Sequence, residues 1–195
     1  CKKCVISNQR PSSSIEFKHK KTERKDTIAF DNDGICSACK FNLLKNNTIN
    51  WEEREKKLVS LLDKHRGKYG GYDVIVPSSG GKDSSFTAHI LKYKYGMNPL
   101  TITWAPHLYT DIGRQNVESL AHVGGIDNIL FTPNGRLHRY LTSQAFKNLL
   151  HPFQPFIIGQ KMIGPLMAMK FNIPLVMYGE HQAEYGNILS ETNIP

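Results

Sequence analysis

From Tyr72 onward, short apolar runs alternate with longer stretches of helical spacing, and this alternation limits the fold more than any other feature. The runs are Asp73–Val76, Leu100–Trp104, Asn128–Phe131 and Pro174–Tyr178. The helical patterns are Ser84–Tyr95, Gly113–Val123, Arg136–Leu150 and Phe156–Phe171. Glycine ends two of them, at Gly96 and Gly124-Gly125. Such β-α alternation predicts an α/β fold: a doubly wound, mostly parallel sheet with helices on both faces. Ligands of such sheets sit beyond the carboxyl ends of the strands.

The chain before Tyr72 is of another kind. All four cysteines lie there in two pairs, Cys1-x-x-Cys4 and Cys36-x-x-Cys39, separated by 31 residues. Each pair forms a tight knuckle, and two knuckles supply the four-sulfur tetrahedral shell that Zn²⁺ prefers. Asp31, Asn32, Asp33 and Gly34 turn the chain into the second pair. Two disulfides, a redox pair or an iron–sulfur cluster are the alternatives, and disulfides suit a cytoplasmic chain poorly. A closed shell of Cys1, Cys4, Cys36 and Cys39 leaves no place for water, so the zinc is read as structural. Residues 1–45 are expected to form a loop-rich zinc module with a mobile insert at Pro11–Asp26, and 46–195 the α/β domain. Within the latter, Thr48–Arg66 reads as a helix with Trp51, Leu58, Leu61 and Leu62 near one face.

The loop after the first apolar run carries the chemistry. Ser78-Ser79-Gly80-Gly81-Lys82-Asp83-Ser84-Ser85 links a strand to a helix. Its glycines allow a sharp turn that brings bare amides up to an anion. Ser79, Ser84 and Ser85 add hydroxyl donors, and the helix start adds partial positive charge. A polyphosphate is the guest such a loop fits. The spacing is neither Walker A nor Gly-x-Gly-x-x-Gly.

Ser79-Gly80-Gly81-Lys82-Asp83-Ser84 resembles the Ser-Gly-Gly-x-Asp-Ser signature of the PP-loop ATP pyrophosphatases, of adenine nucleotide alpha hydrolase-like fold. Within that superfamily the chain is similar nearly end to end to the N-acetyl sugar amidotransferases of pseudaminic acid, legionaminic acid and lipopolysaccharide O-antigen biosynthesis. The resemblance rests on "CKKCVIS", "FDNDGICSAC", "SSGGKDSS", "LTITWAPHLYTDIG", "PFQPFIIGQK" and "IPLVMYGE…EYG". Members continue well beyond "EYGN", so the α/β domain is expected to lack its C-terminal part here. The resemblance implies that ATP is split between its α and β phosphates, with the loop holding the leaving pyrophosphate and Asp83 assisting Mg²⁺. Thr103 and Trp104, ending the second strand, would lie near the adenosine.

An amide oxygen is a very poor leaving group. Adenylating it makes it a good one, and ammonia then displaces AMP to give an acetamidino sugar. The loop donors would stabilise charge growing on pyrophosphate. Lys82 adds to them or is a solvated helix-start residue. Glu180 binds Mg²⁺, orients ammonia or sugar, or caps the next segment, and Glu184 is a candidate of the same kind. His107 and Tyr109 reach nucleotide or sugar, or His107 is structural. Gln154 and Gln160 line the sugar pocket, or are incidental beside a core of Phe153, Phe156 and Ile157. Met162, Met167 and Met169 read as helix packing.

A glutaminase of the Cys–His type needs a nucleophilic cysteine. Every cysteine here belongs to a metal pair, so a separate glutaminase subunit is expected to supply ammonia, as the resemblance also implies. The net charge of +8 is concentrated in residues 1–68, which hold +7. That basic region is the one feature favouring a tRNA-modifying PP-loop enzyme. It lacks interleaved aromatics, and nucleic acid is not the expected partner. A zinc-ribbon binding module without catalysis is the third reading, opposed by the intact loop. No membrane span or signal peptide is legible, and a cytoplasmic enzyme is expected.

Overall fold

A computed structural model describes residues 1–9, 20, 22–68 and 70–180. Glu55–Glu180 belong to one compact unit and Cys1–Arg54 to another. The first is built on strands β1 (Val74–Pro77), β2 (Pro99–Trp104) and β3 (Asn128–Phe131), all parallel in the order β1-β2-β3. Ile75 lies beside Leu100, and Ile102 beside Ile129.

The pleat sends alternate side chains to opposite faces. Val74 and Val76 pack with Leu62, Ala88, Leu91 and Leu120. These come from helices α2 (Trp51–Asp63), α3 (Lys82–Tyr93) and α4 (Asp111–His122). On the other face Ile75, Leu100 and Ile102 pack with Ile163 and Ala168 of α6 (Gln154–Phe171), which follows α5 (Gly135–Leu149). Helices therefore cover both faces, which is the expected doubly wound α/β arrangement. Burial on both sides explains why β1 reads as a continuous apolar run, whereas β2 alternates Leu100 and Ile102 with the buried threonines Thr101 and Thr103. Each fully buried Ile or Leu stabilises the fold by about 1.5–3 kcal/mol.

The fourth expected strand, Pro174–Tyr178, is reduced to a single parallel bridge between Ile75 and Val176. Ile75 N–H donates to Leu175 O and Met177 N–H to Ile75 O, both at 2.9 Å. Pro174 has no N–H to give to a ladder. The bridge still falls on the edge of β1 away from β2, so the chain reverses its direction of winding at β1. The carboxyl end of β1 is thus the switch point of the sheet, where ligands of such folds gather.

Helix patterning was legible, its faces less so. Leu62 is buried and Leu58 packs against the core, but Trp51 and Leu61 are exposed. Met167 packs beneath α6, whereas Met162 and Met169 are exposed and do not serve as packing. Among the described residues no helix is long and apolar enough to cross a membrane.

The Cys1–Arg54 unit contains α1 (Ser37–Asn47), absent from the sequence reading of a loop-rich module. None of its residues is buried, so periodicity gave no signal. The helix grows from the second cysteine pair: Cys36 is its N-cap, with Sγ accepting from Cys39 N–H at 3.4 Å. The preceding turn is held by Asp31, whose Oδ1 accepts from Asp33 N–H at 3.0 Å and Ile35 N–H at 2.8 Å. Lys40 from α1 pairs with the same carboxylate at 2.8 Å. Most of the Pro11–Asp26 insert lies outside the described residues.

Candidate functional site

The loop at the switch point is shaped by its own hydroxyls. Ser78 N–H donates to Ile102 O at 2.9 Å, carrying the sheet one residue past β1. Ser84 Oγ donates to Gly81 O at 3.2 Å and lies 3.0 Å from Ser78 Oγ. Its single proton being used, Ser84 accepts from Ser78, which in turn accepts from Gly80 N–H at 3.3 Å. Ser78 and Ser84 thus build the loop. Ser79 is an exposed residue of the turn, and Ser85 N–H makes the first helical bond, to Gly81 O at 3.0 Å.

Gly80 has φ +76°, and a Cβ there would lie 2.8 Å from both Val117 Cγ2 and Val117 N. Both facts require glycine. Gly81 caps α3 with extended backbone and no side-chain cap bond. No side chain therefore takes up the first-turn amides, and the positive helix end is left without a capping group. Lys82 Nζ and Asp83 Oδ1 pair at 2.6 Å on the exposed side of this turn.

The chain after the β1 bridge closes on the same turn. A Cβ at Gly179 would lie 2.6 Å from Asp83 C and 2.7 Å from Ser84 N. Glu180, exposed, is the next residue after that backbone contact. Glu184 lies outside the described residues.

Beside the loop is a cavity of about 180 Å³, lined by Ser79, Thr103, Trp104, Tyr109, Val117 and Phe156 among others. It therefore brings loop residue Ser79 together with the end of β2 and with Tyr109. Thr101 Oγ1 donates to Asp127 O at 2.8 Å and lies 3.0 Å from Asn128 Oδ1, to which Thr103 Oγ1 donates at 3.0 Å, fastening β2 to β3 under this wall. The indole of Trp104 stacks on Phe131 with centroids 4.9 Å apart, and lies so close to α6 that a Cβ at Gly159 would be 2.2 Å from it.

His107 follows β2. Its ring meets His138 edge-on at 4.7 Å, Phe156 at 5.4 Å and Phe153 at 5.7 Å. Burial, then the charge of His138, pushes its pKa below the usual imidazole value. Gln154 lines a different space, an apolar groove of about 730 Å³ between α5 and α6. Gln160 is half-buried on α6, next to Gly159.

The four cysteines meet in the Cys1–Arg54 unit. Their sulfurs all lie within 4.8 Å of one another, none in a disulfide. Cys4 and Cys36 sulfurs are 3.7 Å apart, Cys1 and Cys39 4.0 Å. Zn–S bonds of 2.3 Å in a tetrahedron imply sulfur separations of about 3.8 Å. Backbone N–H groups of Lys3 and Cys36 donate to Cys1 Sγ at 3.3 Å, as suits a thiolate. A backbone bond from Ile6 lowers the pKa of Cys4, and the hydrogen bond with Cys4 pushes Cys39 up to about 11. The cluster can hold a zinc ion.

The chain matches no protein-family model and no curated protein. Among solved structures it is similar to the NMN synthetase of Francisella tularensis, with 21% identity and a TM-score of 0.47. The match covers 64% of this chain and 52% of that one, so the chain spans about half of that enzyme's length. The chemical reading rests on the geometry above, not on this likeness.

That geometry can bind a polyphosphate at the α3 end with a flat group beside Trp104. Val117, Asn128, His138 and Thr142 support this region and were not found in the sequence. Val117 and Asn128 act through contacts with residues about 25 to 40 positions away, and no local pattern marks such partners.

Proposed function

We propose that the protein is an AMP-forming, ATP-dependent amidotransferase that acts on the acetamido group of an N-acetyl sugar. The observation that carries the ATP part is the uncapped start of α3 behind Gly80, at the switch point and beside the Trp104 cavity. The β and γ phosphates would lie against the first-turn amides, with Ser79, Ser85 and Lys82 as further donors. The adenosine would lie toward Thr103, Trp104 and Tyr109. Asp83 and Glu180 are the carboxylates next to the turn that would hold Mg²⁺, which would supply positive charge against the phosphates.

The sugar part is supported by the motifs "TWAPH" and "YGE" and by the two cysteine knuckles. With the amide oxygen attacking the α-phosphorus, pyrophosphate leaves and a C–O–P linkage forms. Ammonia adds to the carbon, the C–O bond breaks, and AMP departs. His107, Tyr109, Gln154, Gln160 and Glu184 are the proposed sugar contacts. A separate glutaminase subunit is the proposed source of ammonia, and zinc on the four cysteines is structural.

The test supplies the protein with ATP, Mg²⁺ and ammonium, and follows AMP, ADP and pyrophosphate with acetamido sugars or bulk tRNA. AMP that depends on an acetamido sugar is expected. AMP only with tRNA would favour RNA modification, to which the +7 charge of residues 1–68 lends support. ADP in place of AMP would overturn the reading of the loop.

A further inference from the structure

One imidazole beside the candidate site has its proton placed by a neighbour. Thr142 lies inside α5, and its hydroxyl donates to the His138 carbonyl one turn back, at 2.8 Å. A hydroxyl has one proton. Toward His107 Nε2, at the long distance of 3.4 Å, Thr142 Oγ1 can then only accept. A hydrogen bond between them then needs hydrogen on Nε2, which leaves the Nδ1 lone pair of the neutral ring bare.

Two further observations place the residue next to the Trp104 cavity, although its own ring is not part of the lining. Residues on both sides of His107, Pro106 and Leu108, line the Trp104 cavity, as does Phe156, on which the ring packs. The ring is also partly exposed rather than sealed in the core. Of the side chains around it, Thr142 and His138 come from α5, and Phe153 and Phe156 from the start of α6. His138 is the titratable one among these contacts, and its charge opposes a second proton on His107. No carboxylate is among these contacts to hold the ring protonated. The ring is thus neutral near pH 7.

We propose that His107 Nδ1 is the proton acceptor of the nitrogen-transfer step, and that Thr142 is the positioning residue that fixes its tautomer. The inference rests on the amidotransferase reading. Ammonia forms a C–N bond to the adenylated carbon, and its nitrogen becomes cationic. Nδ1 takes one N–H proton, the electron pair stays on nitrogen and closes the amidine, and the C–O bond to AMP breaks. The imidazolium then loses its proton to water.

The test has two readouts. In ¹⁵N-labelled protein, long-range imidazole spectra should show His107 protonated at Nε2 and bare at Nδ1, and the opposite tautomer would overturn the proposal. In turnover with ATP, an acetamido sugar and ammonium, Thr142→Val should slow amidine formation about three- to tenfold, the value of one hydrogen bond. Thr142→Ser should restore it. His107→Gln should cost about a hundredfold and, once rates are expressed per free NH₃, flatten the remaining rise with pH below 6.5. Amidine formation at the wild-type rate in Thr142→Val and His107→Gln would overturn this proposal alone. Failure of the wild-type protein to exchange pyrophosphate into ATP would instead overturn the amidotransferase reading beneath it.

Discussion

Replacing Gly80 by alanine should damage the loop by a calculable amount. An L-residue at φ +76° is strained by about 1–2 kcal/mol. Its Cβ would lie 2.8 Å from Val117 Cγ2 and from Val117 N, about 0.6 Å inside ordinary contact. The methyl can turn away, but the backbone nitrogen belongs to α4 and cannot. Overpacking of this kind costs about 1–3 kcal/mol. Together the two effects predict a loss of about 2–5 kcal/mol in urea unfolding followed by circular dichroism. Adding Val117→Ala should relieve only the side-chain part, leaving a positive coupling of about 1 kcal/mol in a double-mutant cycle. ATP binding by calorimetry should fall in both variants, because the strain lies in the turn that faces the phosphates. Gly80→Ala within about 0.5 kcal/mol of wild type, the range of an ordinary surface change, would refute the argument.

Other perturbations have equally definite outcomes. Chelation should remove one zinc per chain, measured by elemental analysis, and melt α1, seen as lost amide dispersion across Ser37–Asn47. Retention of those signals in metal-free protein would refute the structural role. Asp31 should titrate below its ordinary 3.8, because Lys40 and then the Ile35 N–H hold its charged form. Its contribution to stability is present above 3.8 and is lost as pH falls through the folded pKa. Lys40→Met should raise that pKa in carboxyl NMR, and an unchanged value would refute the pairing. Gly159→Ala should cost about 1–3 kcal/mol and shift the emission of Trp104, measured in a Trp51→Phe background, since its Cβ meets the indole. An unshifted spectrum would mean that α6 moves aside freely.

The parallel sheet was legible because Val74–Val76 is apolar on both faces and Leu100–Trp104 is rich in β-branched residues, patterns that suit a buried strand. The Ser78–Ser85 loop was legible because its small residues are contiguous. What escaped the sequence depended on partners. Asn128 reads as a strand-start residue until Thr101 and Thr103 are seen to meet its amide. His138 and Thr142 look like the polar face of a helix until α5 is set against the turn carrying His107. The exposure of Trp51 and Met169 shows the converse: helical spacing identifies a face but not what packs on it. α1 escaped because a cysteine cap, not an apolar stripe, starts it.

The contact of Gly179 with the first turn of α3 has a consequence for how the protein is made. Gly179 lies 95 residues beyond Ser84. At about 5–20 residues per second, the ribosome needs about 5–20 s to deliver the wall of a phosphate cradle whose floor already exists. Through that interval the proposed ATP site is only half present, and nucleotide cannot protect the nascent chain by binding it. Nucleotide should therefore rescue only variants that are destabilised after synthesis is complete, and should do nothing for those that misfold while Gly179 is still in the exit tunnel.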